Sequence, residues 1–277
     1  MSDEVNNPIQ ACLCPCDVAI LIVYHEQPIL IPFDSVQEKI PLWSGIDIRE
    51  SMRETFTDFN SNPPLSYQES AIGLRVSGLG HAGIALIDGC TGEAEYYEYG
   101  RYDPEMFGEV RNADATALAQ LKIQFNESGN PTLSSFNSLI SILTKTNNGP
   151  YAFKAVYIKL ENGAFQIMKR FSDRRLKDIS ARESAPYDVA DNHCFTFVTE
   201  VAAEVGVNVD VSEASDLEIK LVGGNQVSRT IISSMAPKFE IPARQMIILQ
   251  TRYRALNVST NGNVVNDFEF PTKLNAK

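Results

Sequence analysis

Asp191-Asn192-His193-Cys194-Phe195-Thr196-Phe197-Val198-Thr199-Glu200-Val201-Ala202-Ala203-Glu204-Val205-Gly206 carries the clearest periodicity in the chain. Phe195, Val198, Val201, Ala202 and Val205 recur at i, i+3, i+6, i+7 and i+10. That spacing lines one apolar face and predicts a helix from Asn192 to Val205. Asp191 or Asn192 is placed to cap its start, and Gly206 stands where a C′ glycine ends a helix. Cys194 falls in the first turn. Unpaired N–H groups and the macrodipole favour an anion there, which lowers a thiol's pKa and yields thiolate, the form that attacks a carbonyl carbon. A buried structural cysteine fits the same position equally well, because free Cys is among the most buried residue types.

A nucleophilic cysteine needs a base that takes its proton and later protonates the leaving amine. The chain has three histidines. His25 lies in a turn, and His193, as the neighbour of Cys194, is expected to point about 100° away around the helix. His81 remains. It opens an apolar run after Gly78-Leu79-Gly80-His81-Ala82-Gly83, a match to G-x-G-x-x-G. The dinucleotide motif requires a helix after its last glycine, whereas Gly83 to Ile87 reads as a strand, so the glycines are read as a tight bend into it. Asp88-Gly89-Cys90-Thr91-Gly92 is a turn signal, and residues 81–99 therefore form a hairpin. The returning strand carries Glu93, Glu95, Tyr96, Glu98 and Tyr99. Its later residues come back opposite His81, where a carboxylate would hold the imidazole tautomer and stabilise imidazolium. Glu98 is the candidate and Glu95 the substitute. The bland reading of both is a solvated acidic strand face.

Elsewhere, residues 17–33 read as two strands around His25-Glu26-Gln27-Pro28, and Ala71 to Val76 as another. Ile48 to Phe59 is a candidate helix, ended by Asn62-Pro63-Pro64. Ala113 to Phe125 is either strand or helix, and Leu133 to Thr144 has helical spacing. Tyr151 to Leu160 and Ala164 to Phe171 are predicted to form a second hairpin around Glu161-Asn162-Gly163. Lys169-Arg170, Arg174-Arg175 and Lys177 then form a solvated edge, able to meet substrate carboxylates if it faces a cleft. After Val207, short strands and loops are expected to end in a fraying polar tail. No repeat or long linker appears. The chain therefore reads as one α+β unit, with residues 1–70 as N-terminal strands and an irregular extension packed on a 71–277 core.

The chain has 277 residues, with 24 Lys+Arg against 35 Asp+Glu and a net charge of −11. That balance opposes broad binding to nucleic-acid phosphates or to anionic membrane surfaces. The longest apolar run, Val18 to Tyr24, has the length of a buried strand, not of a membrane span. The acidic Met1-Ser2-Asp3-Glu4 start is unlike a signal peptide, so a cytoplasmic product is expected, and any export needs another route. Cys12, Cys14 and Cys16 alternate onto one face of an extended segment, while Cys90 and Cys194 stand apart. This does not read as a disulfide framework, and no partner set completes four zinc ligands.

Two motifs together resemble a known pattern. Gly80-His81-Ala82-Gly83-Ile84-Ala85-Leu86, followed far downstream by Asp191-Asn192-His193-Cys194-Phe195-Thr196-Phe197, resembles the circularly permuted NlpC-type, papain-like cysteine hydrolases. In ordinary papain-like enzymes the Cys helix precedes the His strand. In the permuted group the order is His, polar residue, Cys, as with His81, Glu98 and Cys194. Tyr96-Tyr97-Glu98-Tyr99-Gly100-Arg101-Tyr102-Asp103 also resembles a segment of peptidoglycan-targeting effectors of the bacterial type VI secretion system. The likeness lies in residues 78–111 and 185–205.

The resemblance implies a papain-like core whose antiparallel sheet packs on the Cys-bearing helix. It implies amide hydrolysis in the peptide stem of peptidoglycan by an antibacterial toxin, with Cys194 as nucleophile, His81 as base and Glu98 as orienter. The Cys194 backbone N–H would serve as oxyanion donor. No metal or organic cofactor is implied. Delivery to the periplasm of target bacteria by a dedicated machine would bring an immunity protein and a secretion-tip protein as partners. The same scaffold also hosts lipid acyltransferases and thioesterases, and a non-catalytic secretion-associated binding module is the third reading.

Overall fold

The computed structural model describes residues 14–27, 29–32, 66–69, 73–77, 80–101, 108–146, 149–180, 192–209, 242–272 and 274. The candidate helix Ile48 to Phe59 lies outside them. β1 (Asp17–Tyr24), β5 (His81–Ile87), β6 (Ala94–Arg101), β7 (Gly108–Asn112), β8 (Phe153–Leu160) and β9 (Arg254–Val258) form a six-stranded sheet in the order β7-β6-β5-β1-β8-β9. Every neighbouring pair is antiparallel. β2 (Ile29–Pro32), β3 (Ser66–Glu69) and β4 (Gly73–Ser77) make a separate three-stranded sheet in the order β2-β4-β3. The two strands expected around the His25 turn thus exist but join different sheets.

β1 lies in the 1–70 stretch, yet it runs between β5 and β8 at the middle of the large sheet. All eight of its residues are buried, which is why Asp17–Tyr24 reads as an apolar run instead of an alternation. Helices α1 (Ala115–Gln120) and α2 (Leu133–Leu143) cover one face, packing Leu118, Phe136, Leu139, Ile140 and Leu143 against Ile20, Ile22, Ala85 and Tyr157. Helices α3 (Ala164–Ser180), α4 (Cys194–Ala203) and α5 (Pro242–Arg252) cover the other. There Phe165, Met168, Phe197, Val201, Met246 and Leu249 meet Leu21, Ile84, Tyr97 and Val156. Sheet residues of odd and even number feed different cores, as alternation requires.

Three expectations need correction. Ala164–Ser180 is a helix, not the return strand of a hairpin. Its buried positions Ala164, Phe165, Met168 and Ser172 follow helical spacing, and Asp17 of β1 accepts hydrogen bonds from the N–H groups of Gly163 (2.8 Å) and Phe165 (3.0 Å) at its start. The segment after Val207 includes helix α5, and Phe268 and Phe270 near its end pack around Phe136 and Tyr157, while the polar residues 275–277 expected to fray lie outside the described residues. Cys14, for which no disulfide is expected from the sequence, is disulfide-bonded to Cys90, with Cα atoms 4.9 Å apart. The lead into β1 runs beside the β5–β6 turn, where the Gly89 N–H donates to Asp17 Oδ1 at 2.8 Å. No spacing rule within the sequence could have paired these two cysteines.

Candidate active site

Cys194 is the first residue of α4 and is buried. The cap is His193, not Asp191 or Asn192: its backbone is extended, and its Nδ1 accepts from the Phe195 N–H at 3.2 Å. Asn192, one residue earlier, donates from Nδ2 to the Tyr99 hydroxyl at 2.9 Å, tying the helix entry to β6. Val205 and Gly206 close the helix as expected, with Gly206 at φ 73° and the Val207 N–H bonded back to the Ala202 carbonyl.

His81 opens β5 beside Tyr24, the last residue of β1. Gly80 before it has φ 83°, and a Cβ there would come within 2.8 Å of Val23 Cγ1, so glycine answers both constraints. The register pairs Gly83 with Glu98, which places Glu98 diagonally from His81 on the same face instead of directly opposite. The diagonal is short enough: His81 Nε2 lies 3.2 Å from Glu98 Oε2, and Glu98 is wholly buried. By alternation, Glu98 belongs to the face covered by α1 and α2, whereas Cys194 sits under the opposite face. His81, at the very end of its strand, bridges the two.

His81 interacts with Cys194 as well as with Glu98. Burial pushes the imidazole's pKa down, but those two partners and their charges outweigh it and carry the pKa up to about 10. Burial pushes the Cys194 thiol up, but hydrogen bonds and charge from His193 and His81 bring it down to about 6. Both shifts favour thiolate on Cys194 and imidazolium on His81.

Residues 19–210 match the family described as "Type VI secretion system effector TseH-like". The chain belongs to that family. Among solved structures it is similar to the crystal structure of the type VI secretion system effector TseH, with a TM-score of 0.54 and 18% sequence identity. The likeness covers 91% of this chain and 97% of that one, and at this identity it concerns the fold. No curated protein matches in sequence.

In this TseH-like effector, Glu95 takes no part in the cluster. It points to the other side of β6, where it pairs with Lys169 at 2.7 Å and accepts from Asn112 at 2.6 Å. The basic residues read as a strand edge lie on α3, where Lys169 also meets Asp173 (3.6 Å) and Arg175 meets Glu200 (2.8 Å). These pairs fasten α3 to β6 and α4. His193 is the site residue that sequence reasoning set aside. The 100° argument presumed that His193 was helical, and a capping residue is not. Among the described residues no group of three or more His, Cys, Asp or Glu could hold a metal ion.

Proposed function

We propose that this effector is a cysteine amidase or endopeptidase that cleaves peptide-stem amide bonds of bacterial peptidoglycan, built on a permuted NlpC-type, papain-like core. The observation that carries the reading is the buried Cys194 thiol, at a helix start and acted on by an imidazole that Glu98 holds at 3.2 Å. Cys194 is the nucleophile. Its thiolate attacks the scissile carbonyl, and the Cys194 backbone N–H at the helix start is placed to donate to the developing oxyanion. The His81 imidazolium gives its proton to the leaving amine as the C–N bond breaks, which leaves a thioester on sulfur. Neutral His81 then takes a proton from water as that water attacks the thioester. The carboxylic acid departs, and thiolate and imidazolium are restored. Glu98 orients the ring and stabilises its charged form. The chain's own residues supply every proton transfer in this scheme.

Family membership supports delivery by the type VI machinery into the periplasm of target bacteria, and with it an immunity protein in the producing cell. The Cys14–Cys90 disulfide fits an oxidising compartment. The test is expression with an export signal in a susceptible bacterium: the wild-type chain lyses the cells, while Cys194→Ala and His81→Ala accumulate folded without lysis. Full lysis by Cys194→Ala would overturn the reading. Incubation with purified peptidoglycan should release new amino groups, and release of fatty acid from lipid instead would favour the acyltransferase or thioesterase alternative.

A further inference from the structure

Tyr96 lies two residues before Glu98 on the same face of β6, and its ring is fully buried. Its hydroxyl donates to Glu98 Oε2 at 3.1 Å, the same oxygen that lies 3.2 Å from His81 Nε2. That hydroxyl occupies the place where a Cβ on Gly83 would fall, and Gly83 is the residue paired across the strands with Glu98. The last glycine of Gly78-Leu79-Gly80-His81-Ala82-Gly83 therefore has a role unrelated to phosphate binding: it leaves room for a phenol beneath the carboxylate.

We propose that Tyr96 is a positioning residue of the site, its hydroxyl seated in the space left by Gly83 and holding the Glu98 carboxylate in line with His81. A carboxylate bonded to one partner can still swing about its terminal torsion. A second donor, arriving at the same oxygen from another strand position, removes that freedom. It also favours the charged form of a group with no access to water. Among the described groups near this carboxylate, several are turned to other partners. Tyr24, from β1, gives its own proton to the Leu143 carbonyl at 2.9 Å. Thr146 and Asp114, beyond Tyr24, bond each other at 2.7 Å. From α4, His193 and Cys194 act on the sulfur side of His81, and His193 spends Nδ1 on its cap.

The inference rests on the hydrolase reading, and the experiment separates the two. The rate of Cys194 alkylation by iodoacetamide is followed against pH, peptide by peptide in a mass spectrometer, for the wild type, Tyr96→Phe and Gly83→Ala. Tyr96→Phe removes one oxygen and no ring volume, and Gly83→Ala displaces the same hydroxyl from the opposite strand. Removing a donor from a buried carboxylate makes the cluster take up a proton at higher pH. The midpoint should rise by roughly one pH unit in both variants, a charge-assisted hydrogen bond being worth about that much. With peptidoglycan as substrate, Tyr96→Phe should lower kcat about fivefold near pH 6 and leave KM unchanged, because a buried phenol does not touch substrate. A wild-type midpoint well below that of a free thiol, unmoved in Tyr96→Phe, overturns the role of Tyr96 and leaves the hydrolase intact. A wild-type midpoint at the free-thiol value of about 8.5 overturns both. If Tyr96→Phe does not fold, Gly83→Ala carries the same comparison.

Discussion

Two imidazoles act on the sulfur of Cys194, and they serve it differently. His81 turns its Nε2 to Glu98 and also acts on the sulfur, whereas His193 is engaged as the helix cap. The signs follow from the directions of the two shifts. Below about pH 6 the sulfur takes up a proton and the nucleophile is lost, and above about pH 10 the ring loses the proton that the leaving amine needs. Hydrolysis of peptidoglycan should therefore rise through about pH 6, hold a plateau, and fall as pH approaches 10; a single rise near pH 8.5, as for an unassisted thiol, would contradict the pairing. His193→Asn isolates the second imidazole. The amide oxygen of Asn can still accept from the Phe195 N–H, so the helix keeps its cap while the ring is removed. The Cys194 alkylation midpoint should then lie above that of the wild type and below that of His81→Ala, with the melting temperature little changed. A midpoint equal to the wild type would reduce His193 to a capping residue.

At the scale of elements, what could be read in advance was whatever depends on neighbours in sequence. Helix α4 was legible because five apolar residues at helical spacing and a terminal glycine lie within one short stretch. The β5–β6 hairpin was legible because its turn is written between its strands. From the two together came His81, Glu98 and Cys194 as candidates, while nothing in the sequence separated the face of Glu98 from that of Glu95. Helix α3 was misread because its start signal is not local. Glu161-Asn162-Gly163 looks like a hairpin turn, and the group that accepts from the helix's first N–H groups is Asp17, 146 and 148 residues away from the two donors. The site residues Tyr96 and His193 were missed for the same reason: one acts across strands through a missing Cβ, the other through a cap. Asp17 is buried and accepts from three N–H groups, those of Gly89, Gly163 and Phe165, so it ties β1 to both the β5–β6 turn and the start of α3. Asp17→Ala should lower the free energy of unfolding by roughly 3 kcal/mol, between the cost of a lost cap and that of several orphaned donors. Denaturant unfolding measures it, and a loss under about 0.5 kcal/mol, the range of ordinary surface substitutions, would show that water replaces the carboxylate.

Over the whole molecule, the chain sends its first described strand through the centre of a sheet whose other strands come from as far as Arg254–Val258. That arrangement makes the anchorage of the lead into β1 a matter for the entire fold. Gly89 packs on the backbone of Pro15 and Cys16, and the Cys14–Cys90 bond closes a loop across 76 positions of sequence on the same spot. A cross-link acts chiefly by restricting the unfolded chain, and for a loop of this length about 2–4 kcal/mol is the usual gain. The bond lies at the turn of the hairpin, while His81 and Glu98 lie toward its open end, so its loss should weaken the fold without altering the geometry around the sulfur. Cys14→Ser should unfold at lower denaturant than the oxidised wild type by that amount. Dithiothreitol should bring the wild type down to the level of Cys14→Ser and leave the variant where it is. The alkylation midpoint of Cys194 should be the same in all of these samples, as long as they remain folded. If reduction shifted that midpoint, the hairpin turn and the reactive pair would be mechanically linked along β5 and β6, and the disulfide would have to be counted as part of the site.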